Sequence, residues 1–386
     1  TTIPGTVAAA AYTFTNADVA YFIGGSVQTI TLASATTLNG INDQTGMTFA
    51  AQTFTLAGTT PSINVLTAKT TTISSVLAGT AGLTKAGAGT LVLSGTNTYT
   101  GGTFLTAGKL SAGVDANLGA TAGGLTFNTG TLLSSGTFST ARAVTMTGAG
   151  TIEVASAQTL TMTGVIAGAG ALTKAGAGTL TLSAINTFTG GTTVSAGTLA
   201  LTSGVALTGT GIIRGNVTVN SGATLDLQIA NSLGYTANVK VNALTINGGT
   251  VKTSTYTTAG DQGWGLAVSM TGGTLQSNGG TASATAAQYY SLGGGSSITT
   301  VANATSALIS GRINLREGNP NNQLVFNVAD GAAATDLLLS AMITQSATFG
   351  IKKTGAGLMS ITGQTGVTTA NTFYSGSTLI SGGILS

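Results

Sequence analysis

The chain has 386 residues, of which 5% are charged, 59 are glycine, 3 are proline and none is cysteine or histidine. About a quarter of an average soluble domain is charged, so this protein works with hydroxyls, amides and aliphatic groups; disulfides, thiolate metal sites and histidine-based catalysis are excluded by composition. Its 12 basic and 9 acidic residues are scattered singly, which argues against nucleic acid as a partner, and no apolar run approaches the roughly 18 residues of a spanning helix.

Ala, Val, Ile and Leu alternate with Thr, Ser and Gly along most of the chain, the period of strands with one buried face. Residues 1–44 differ in texture. The stretch "AYTFTNADVAYFIGG" is rich in aromatics and reads as an N-terminal cap or interaction segment, with Tyr12, Phe14, Tyr21 and Phe22 as candidate assembly contacts. The start at Thr1, without an initiator Met or a signal-like segment, reads as a processed, exported form.

Residues 45–386 read as a β-solenoid. "LTKAGAGTLVLSGTNTYTGGTFLTAGKL" begins at Leu83, and "LTKAGAGTLTLSAINTFTGGTTVSAGTL" begins at Leu172, 89 residues later. A third copy, "IKKTGAGLMSITG" from Ile351 and "NTFYSGSTLISGGIL" from Asn371, starts 179 residues after the second. The long copies occupy residues 77–113, 166–202 and 343–386, and the 89-residue step reads as about four coils of roughly 22 residues. Shorter echoes keep a similar beat: "NTGTLLSS" from Asn128, "TGAGTIEV" from Thr147, "NSGATLDL" from Asn220 and "TGGTLQS" from Thr271. Each reads as a glycine turn and a short strand whose alternate aliphatics point inward.

Lys85, Lys174 and Lys353 share one position before a Gly-Ala-Gly turn. The P-loop order of glycines before Lys-Ser/Thr is absent, so these lysines are read as keeping a strand edge soluble and discouraging wrong pairing. Asn97, Asn186 and Asn371 open the "NT(Y/F)" segment and read as structural turn residues bonding the local backbone.

Reactive chemistry is sparse. The nearest carboxylate pair is Asp330 and Asp336, while Asp18, Asp43, Asp115, Glu153, Asp226 and Asp261 are isolated. Arg316 and Glu317 make a polar loop in "NLREGNPNN" that reads as a solvated turn or as a candidate contact for a sugar or partner. Trp264 and the pair Tyr289 and Tyr290 are candidate contacts for a glycan or a protein partner. At the other end, Tyr374, Leu379 and Ile384 lie in or beside a final strand whose edge invites pairing; contact between two unlike ends builds open filaments.

The pattern "GLTKAGAGTLVLSGTNTYTGGTFLTAGKL", with its copy from Ala171, resembles the autotransporter-associated β-strand repeat of large surface and secreted proteins of Gram-negative bacteria. "FNVADGAAATDLLLSAMI", from Phe326 to Ile343, looks like the segment that often precedes such a repeat. The resemblance implies an all-β, right-handed parallel β-helix of roughly 22-residue coils, exported from a Gram-negative bacterium to the cell surface or the medium. The third copy departs from the pattern, with Ser375 in place of Gly101 and Gly190, and Tyr374 in place of Thr100 and Thr189. No membrane barrel follows Ser386, which makes a processed passenger, a fragment or a self-sufficient extracellular protein the expectation.

The expected function is therefore non-enzymatic and structural: a rod without metal or other cofactor that self-associates head to tail into a filament. An adhesive passenger touching surface glycans or a host or neighbouring cell is the alternative. A polysaccharide-binding or polysaccharide-cleaving β-helix is a third reading.

Overall fold

The computed structural model describes residues 2–4, 18–23, 29–32, 35–203, 209–254, 260–262, 265–278, 288–317, 319–345, 348–362 and 376–386. Among these, every strand ladder is parallel and the helical content is two single turns, Asp115–Leu118 and Pro320–Asn322. The fold is a β-solenoid of coils of roughly 22 residues, as expected. No helix among the described residues is long and apolar enough to cross a membrane. The chain divides into two compact units, Thr1–Leu180 and Thr181–Ser386.

In the first unit, one sheet runs through Val19–Ile23, Gly40–Asp43, Ser62–Val65, Leu83–Ala86, Thr103–Leu105, Leu125–Phe127, Val144–Met146 and Ile166–Gly168. A second sheet runs through Thr29–Leu32, Thr48–Ala51, Thr70–Ile73, Thr90–Leu93, Lys109–Ala112, Thr131–Ser134, Gly150–Val154 and Leu172–Ala175. Shorter strands such as Phe138–Thr140 and Thr159–Met162 form a third side. The strands are short because a glycine or polar turn interrupts the alternation every few residues, and a strand that presents two inward side chains cannot bury them alone. Stacking solves this: Leu91, Leu110, Leu132 and Ile152 are register partners in successive coils and are all fully buried. Each such side chain contributes about 1.5–3 kcal/mol of burial.

The aromatic texture near the N-terminus is a packing feature. Phe22, Phe49 and Phe54 meet edge to face inside the coils, with centroids 5.1 and 5.6 Å apart. Phe22 is therefore not an assembly contact, because its ring is spent on the core. Tyr21, its neighbour on the strand, points the other way and is exposed. Tyr12 and Phe14 lie outside the described residues.

The 89-residue step is not a whole number of coils. From Leu83, the register passes through Thr103, Leu125 and Val144 to Ile166, which closes four coils in 83 residues. Six residues later Leu172 starts a strand of the second sheet, paired with Gly150. The first copy's "LTKA" thus lies on one side of the coil and the second copy's on the next. The repeat encodes a corner that can be placed at different edges of the coil.

Glycine makes that corner. Gly87, Gly176 and Gly355 follow the three lysines by two residues, each with φ between +70° and +78°. A Cβ at any of them would strike the carbonyl oxygen of Val65, Val154 or Val328 in the adjacent coil. Left-handed backbone and close approach together leave no room for another residue.

In the second unit, a long sheet includes Gly215–Asn220, Val241–Asn247, Ala267–Thr271, Ser297–Thr300, Gln323–Asn327, Gly350–Thr354 and Thr378–Ile380. A second sheet runs from Gly197–Leu201 to Ile384–Leu385, and a four-stranded sheet is built from Gly260–Gln262, Gln288–Leu292, Arg312–Leu315 and Met342–Gln345. Coils are longer here. Val217 and Leu244 are partners 27 residues apart and Val268 and Ile298 are 30 apart, against 19 for Leu91 and Leu110 in the first unit. Loops absorb the excess while the register is kept.

Candidate functional site

The three repeat lysines are buried, contrary to the expectation of a solvated edge. Lys85 and Lys353 each turn Nζ inward beneath the glycine turn. Lys85 donates to the carbonyls of Ala86 (2.6 Å), Gly87 (2.7 Å) and, one coil on, Ala107 (3.2 Å). Lys353 repeats this with Thr354 (3.0 Å), Gly355 (2.8 Å) and Gly382 (3.0 Å), and Lys174 holds Ala175 and Gly176, each at 2.8 Å. The turn leaves carbonyls that no strand can satisfy, and an ammonium brings three donors to them. Burial pulls Lys85 and Lys174 down to about 8.

Asn97 also reaches further than expected. Its Oδ1 accepts from the Leu77 amide (2.8 Å) and its Nδ2 donates to the Asn117 carbonyl (2.5 Å), so it bonds backbone 20 residues away on either side rather than its own turn. Asn117 returns the bond to Gly95. Asn186 keeps one local bond, to the Ala184 carbonyl, and one to Ile212, 26 residues on. Asn371 lies outside the described residues.

Beside Asn97 sits Tyr99, buried, with its hydroxyl 2.7 Å from Thr103 Oγ1. Burial raises its pKa above the ordinary tyrosine range. The second copy carries Phe188 and Thr192 at these positions, and Thr192 Oγ1 is buried without a partner among the described residues. Phe188→Tyr is expected to restore the pair and stabilise the protein by about 1 kcal/mol, read by chemical denaturation. A lower midpoint would mean that the pocket has no room for the oxygen.

Asp43, Asp115, Glu153, Asp226 and Asp336 are engaged in structural contacts. Arg142, buried to 1% exposure, donates Nε to Asp115 Oδ1 (2.8 Å), Nη2 to Asp115 Oδ2, the Asp115 carbonyl and the Gly119 carbonyl, and Nη1 to the carbonyls of Ala120 and Gly123. It holds the whole excursion that follows the first repeat. Nothing in the sequence pattern marked it, because its partners are backbone atoms of a loop. Glu153 pairs with Lys109 at 2.7 Å. Asp226 accepts from Ser254 and Gln228.

Asp336 is buried and accepts from the amides of Gly331 and Leu358, both at 2.8 Å, while Asp330 is exposed. A carboxylate committed to two amides in adjoining coils is a turn clamp, not a free acid or base.

Asp43 takes five hydrogen bonds. Oδ1 accepts from Thr45 N, Thr45 Oγ1 and Gly46 N, and Oδ2 from Met47 N and Thr71 Oγ1, at 2.6–3.0 Å. Burial works to raise its pKa, but the bonds from Met47, Thr45, Thr71 and Gly46 overcome this and hold it below the ordinary carboxylate value. A depressed folded pKa contributes stability that is present above the unfolded value of about 3.9 and is lost as pH falls through the folded value. Asp43→Asn is expected to cost about 2 kcal/mol at pH 7; urea unfolding at pH 7 and pH 2 should show the wild type losing that advantage in acid.

No group of three or more acidic residues that could hold a metal ion occurs among the described residues. Arg316 and Glu317 form an ion pair of 3.2 Å at the surface, with the Glu317 side chain 58% exposed, a geometry that contributes little to stability. Tyr290 is fully enclosed, so the expected aromatic pair divides: Tyr290 belongs to the core and Tyr289 to the surface, under the guanidinium of Arg312 at 5.1 Å. Trp264 and Tyr374 lie outside the described residues.

Residues 83–112 and 172–201 match the passenger-associated-transport-repeat family. The chain carries autotransporter-associated repeats. Each matched autotransporter repeat contains one lysine clamp, one inter-coil asparagine and one buried aromatic: Lys85, Asn97 and Tyr99, then Lys174, Asn186 and Phe188. Over 132 residues, 34% of this chain, the sequence is 42% identical to the adhesin BmaC autotransporter of Brucella suis biovar 1 (strain 1330), and the match covers 4% of that relative's length. No solved structure matches the chain.

Proposed function

We propose that this chain is a stretch of the passenger solenoid of a Gram-negative surface or secreted adhesin, acting as a non-enzymatic scaffold. The observation that carries this reading is the use to which the repeats put their polar residues: lysine, asparagine and glycine all hold one coil to the next. Such a sequence specifies a surface and not a reaction centre. The adhesin name of the 42% identical relative agrees with that.

Beads coated with the purified chain should adhere to cultured epithelial cells more than albumin-coated beads do; equal adherence would overturn the reading. Substituting Asp336 with Asn should produce no change in any glycan-degrading activity of the preparation.

A second reading, self-association into filaments, is favoured by one feature. Leu379, Ile380 and Ile384 are 44%, 50% and 62% exposed on the edge strands Thr378–Ile380 and Ile384–Leu385. A further coil would cover them, supplied by the same polypeptide or by another copy. Sedimentation velocity at rising concentration separates the two: growth of large species that Ile384→Lys abolishes supports assembly, and a monomer across concentration and salt rejects it.

A further inference from the structure

The four-stranded sheet of the second unit carries recognition chemistry that the repeats lack. Ile313 and Leu315 point inward and are fully buried, which places Arg312 and Asn314 on the outward face. Tyr290 is in register with Ile313, setting Tyr289 beside Arg312. The guanidinium lies 5.1 Å over the Tyr289 ring and donates Nε to Thr344 Oγ1 at 3.2 Å. Thr344 Oγ1 also lies 3.2 Å from both the Ile313 carbonyl and Asn314 Oδ1, and its single proton serves one of them. The Thr344 hydroxyl thus engages Arg312 Nε and leaves the rest of the guanidinium open.

Several donors are left over. Among the described residues, neither Nη1 nor Nη2 of Arg312 and not Asn314 Nδ2 has a hydrogen-bond partner. Arg312 also has no carboxylate within ion-pair distance among those residues. The buried cations differ from this half-buried one, since Arg142, Lys85 and Lys353 have their donors filled. Burial lowers the pKa of Arg312, against an opposing effect of Tyr289, so its charge has lost part of its hydration. A partly desolvated cation with open donors is a cost that an anionic ligand offsets.

We propose that Tyr289, Arg312, Asn314 and Thr344 form a binding site for a carboxylate-bearing saccharide. The guanidinium fork matches a carboxylate in two parallel bonds. The Asn314 amide, one strand period away, reaches a ring hydroxyl, and the flank of Tyr289 offers an apolar surface to sugar C–H groups. A polyphosphate fits less well because a single cation releases few counter-ions. A protein partner would need a larger desolvated anchor than one half-buried tyrosine. The inference rests on the adhesive-passenger reading and names the ligand class that such a surface would meet.

The test is isothermal titration of the intact chain with oligogalacturonate and with its methyl-esterified, neutral counterpart. The acidic oligomer should bind and the ester should bind at least about tenfold more weakly, the loss expected for one charge-assisted bidentate contact. Arg312→Gln should lose about the same factor, and Arg312→Lys, which keeps charge without the fork, should fall between. Thermal melts of both variants check that folding is kept. Equal binding of acid and ester, unchanged binding by folded Arg312→Gln, or no binding of oligogalacturonate, sialyllactose or alginate would each overturn the site. Bead adhesion without any saccharide binding would reject the site and leave the adhesive reading standing; saccharide binding without adhesion would do the reverse.

Discussion

Arg142→Met is expected to cost the first unit about 4 kcal/mol, in the range for removing one partner from a buried charge network. The side chain is nearly inaccessible and its donors reach Asp115, Gly119, Ala120 and Gly123. Methionine fills most of the volume but supplies no donor, so the loop carbonyls of Asp115, Gly119, Ala120 and Gly123 each lose a hydrogen bond. Lysine should fare little better, because a point charge cannot span that fan of acceptors. Asp115→Asn should cost less, since the carbonyl contacts remain. Guanidinium unfolding gives the stability, and hydrogen exchange or limited proteolysis over residues 113–124 reports the loop. A variant within about 1 kcal/mol of wild type, an ordinary surface effect, with the loop still protected, would show that the network is incidental.

Lys85→Met is expected to cost about 3 kcal/mol at pH 7, because carbonyls of Ala86, Gly87 and Ala107 lose their donor in a closed interior. Relief from burying a charge offsets part of that loss. The same lysine gives a pH signature. With a folded pKa of about 8 against about 10.4 when unfolded, the unfolded chain holds the extra proton between those values. Stability attributable to Lys85 therefore rises with pH across that window and is flat below it.

The usable range ends near pH 10, where unfolded tyrosine begins to ionise while Tyr99 stays protonated and stability falls again. Unfolding free energies at pH 7.5 and 9.5 should increase in the wild type, increase less in Lys85→Met, and least when Lys174→Met is added. A wild-type profile unchanged by either substitution would mean that these amines titrate like exposed ones.

Much of this protein was legible before any coordinates. Alternating aliphatics, glycine turns and three copies of one pattern determined a parallel solenoid, because stacked coils are the arrangement that buries both inward side chains of strands this short. The lack of histidine and cysteine excluded disulfides, thiolate metal sites and histidine-based catalysis.

The placement of polar residues was decided by tertiary structure. Lys85 reads as a solvated edge in sequence because its partners, backbone carbonyls on its own turn and one coil away, carry no residue signal. Asn97 is the same case, bonding backbone 20 residues off on each side. The side of the coil on which a repeat copy falls depends on how many residues each intervening turn consumes, and near-regular spacing does not encode that number. Phe22, Tyr290 and Arg312 complete the list for one reason. Whether a strand residue faces the core or the outside depends on register, and register is set by the neighbouring coils rather than by the residue itself.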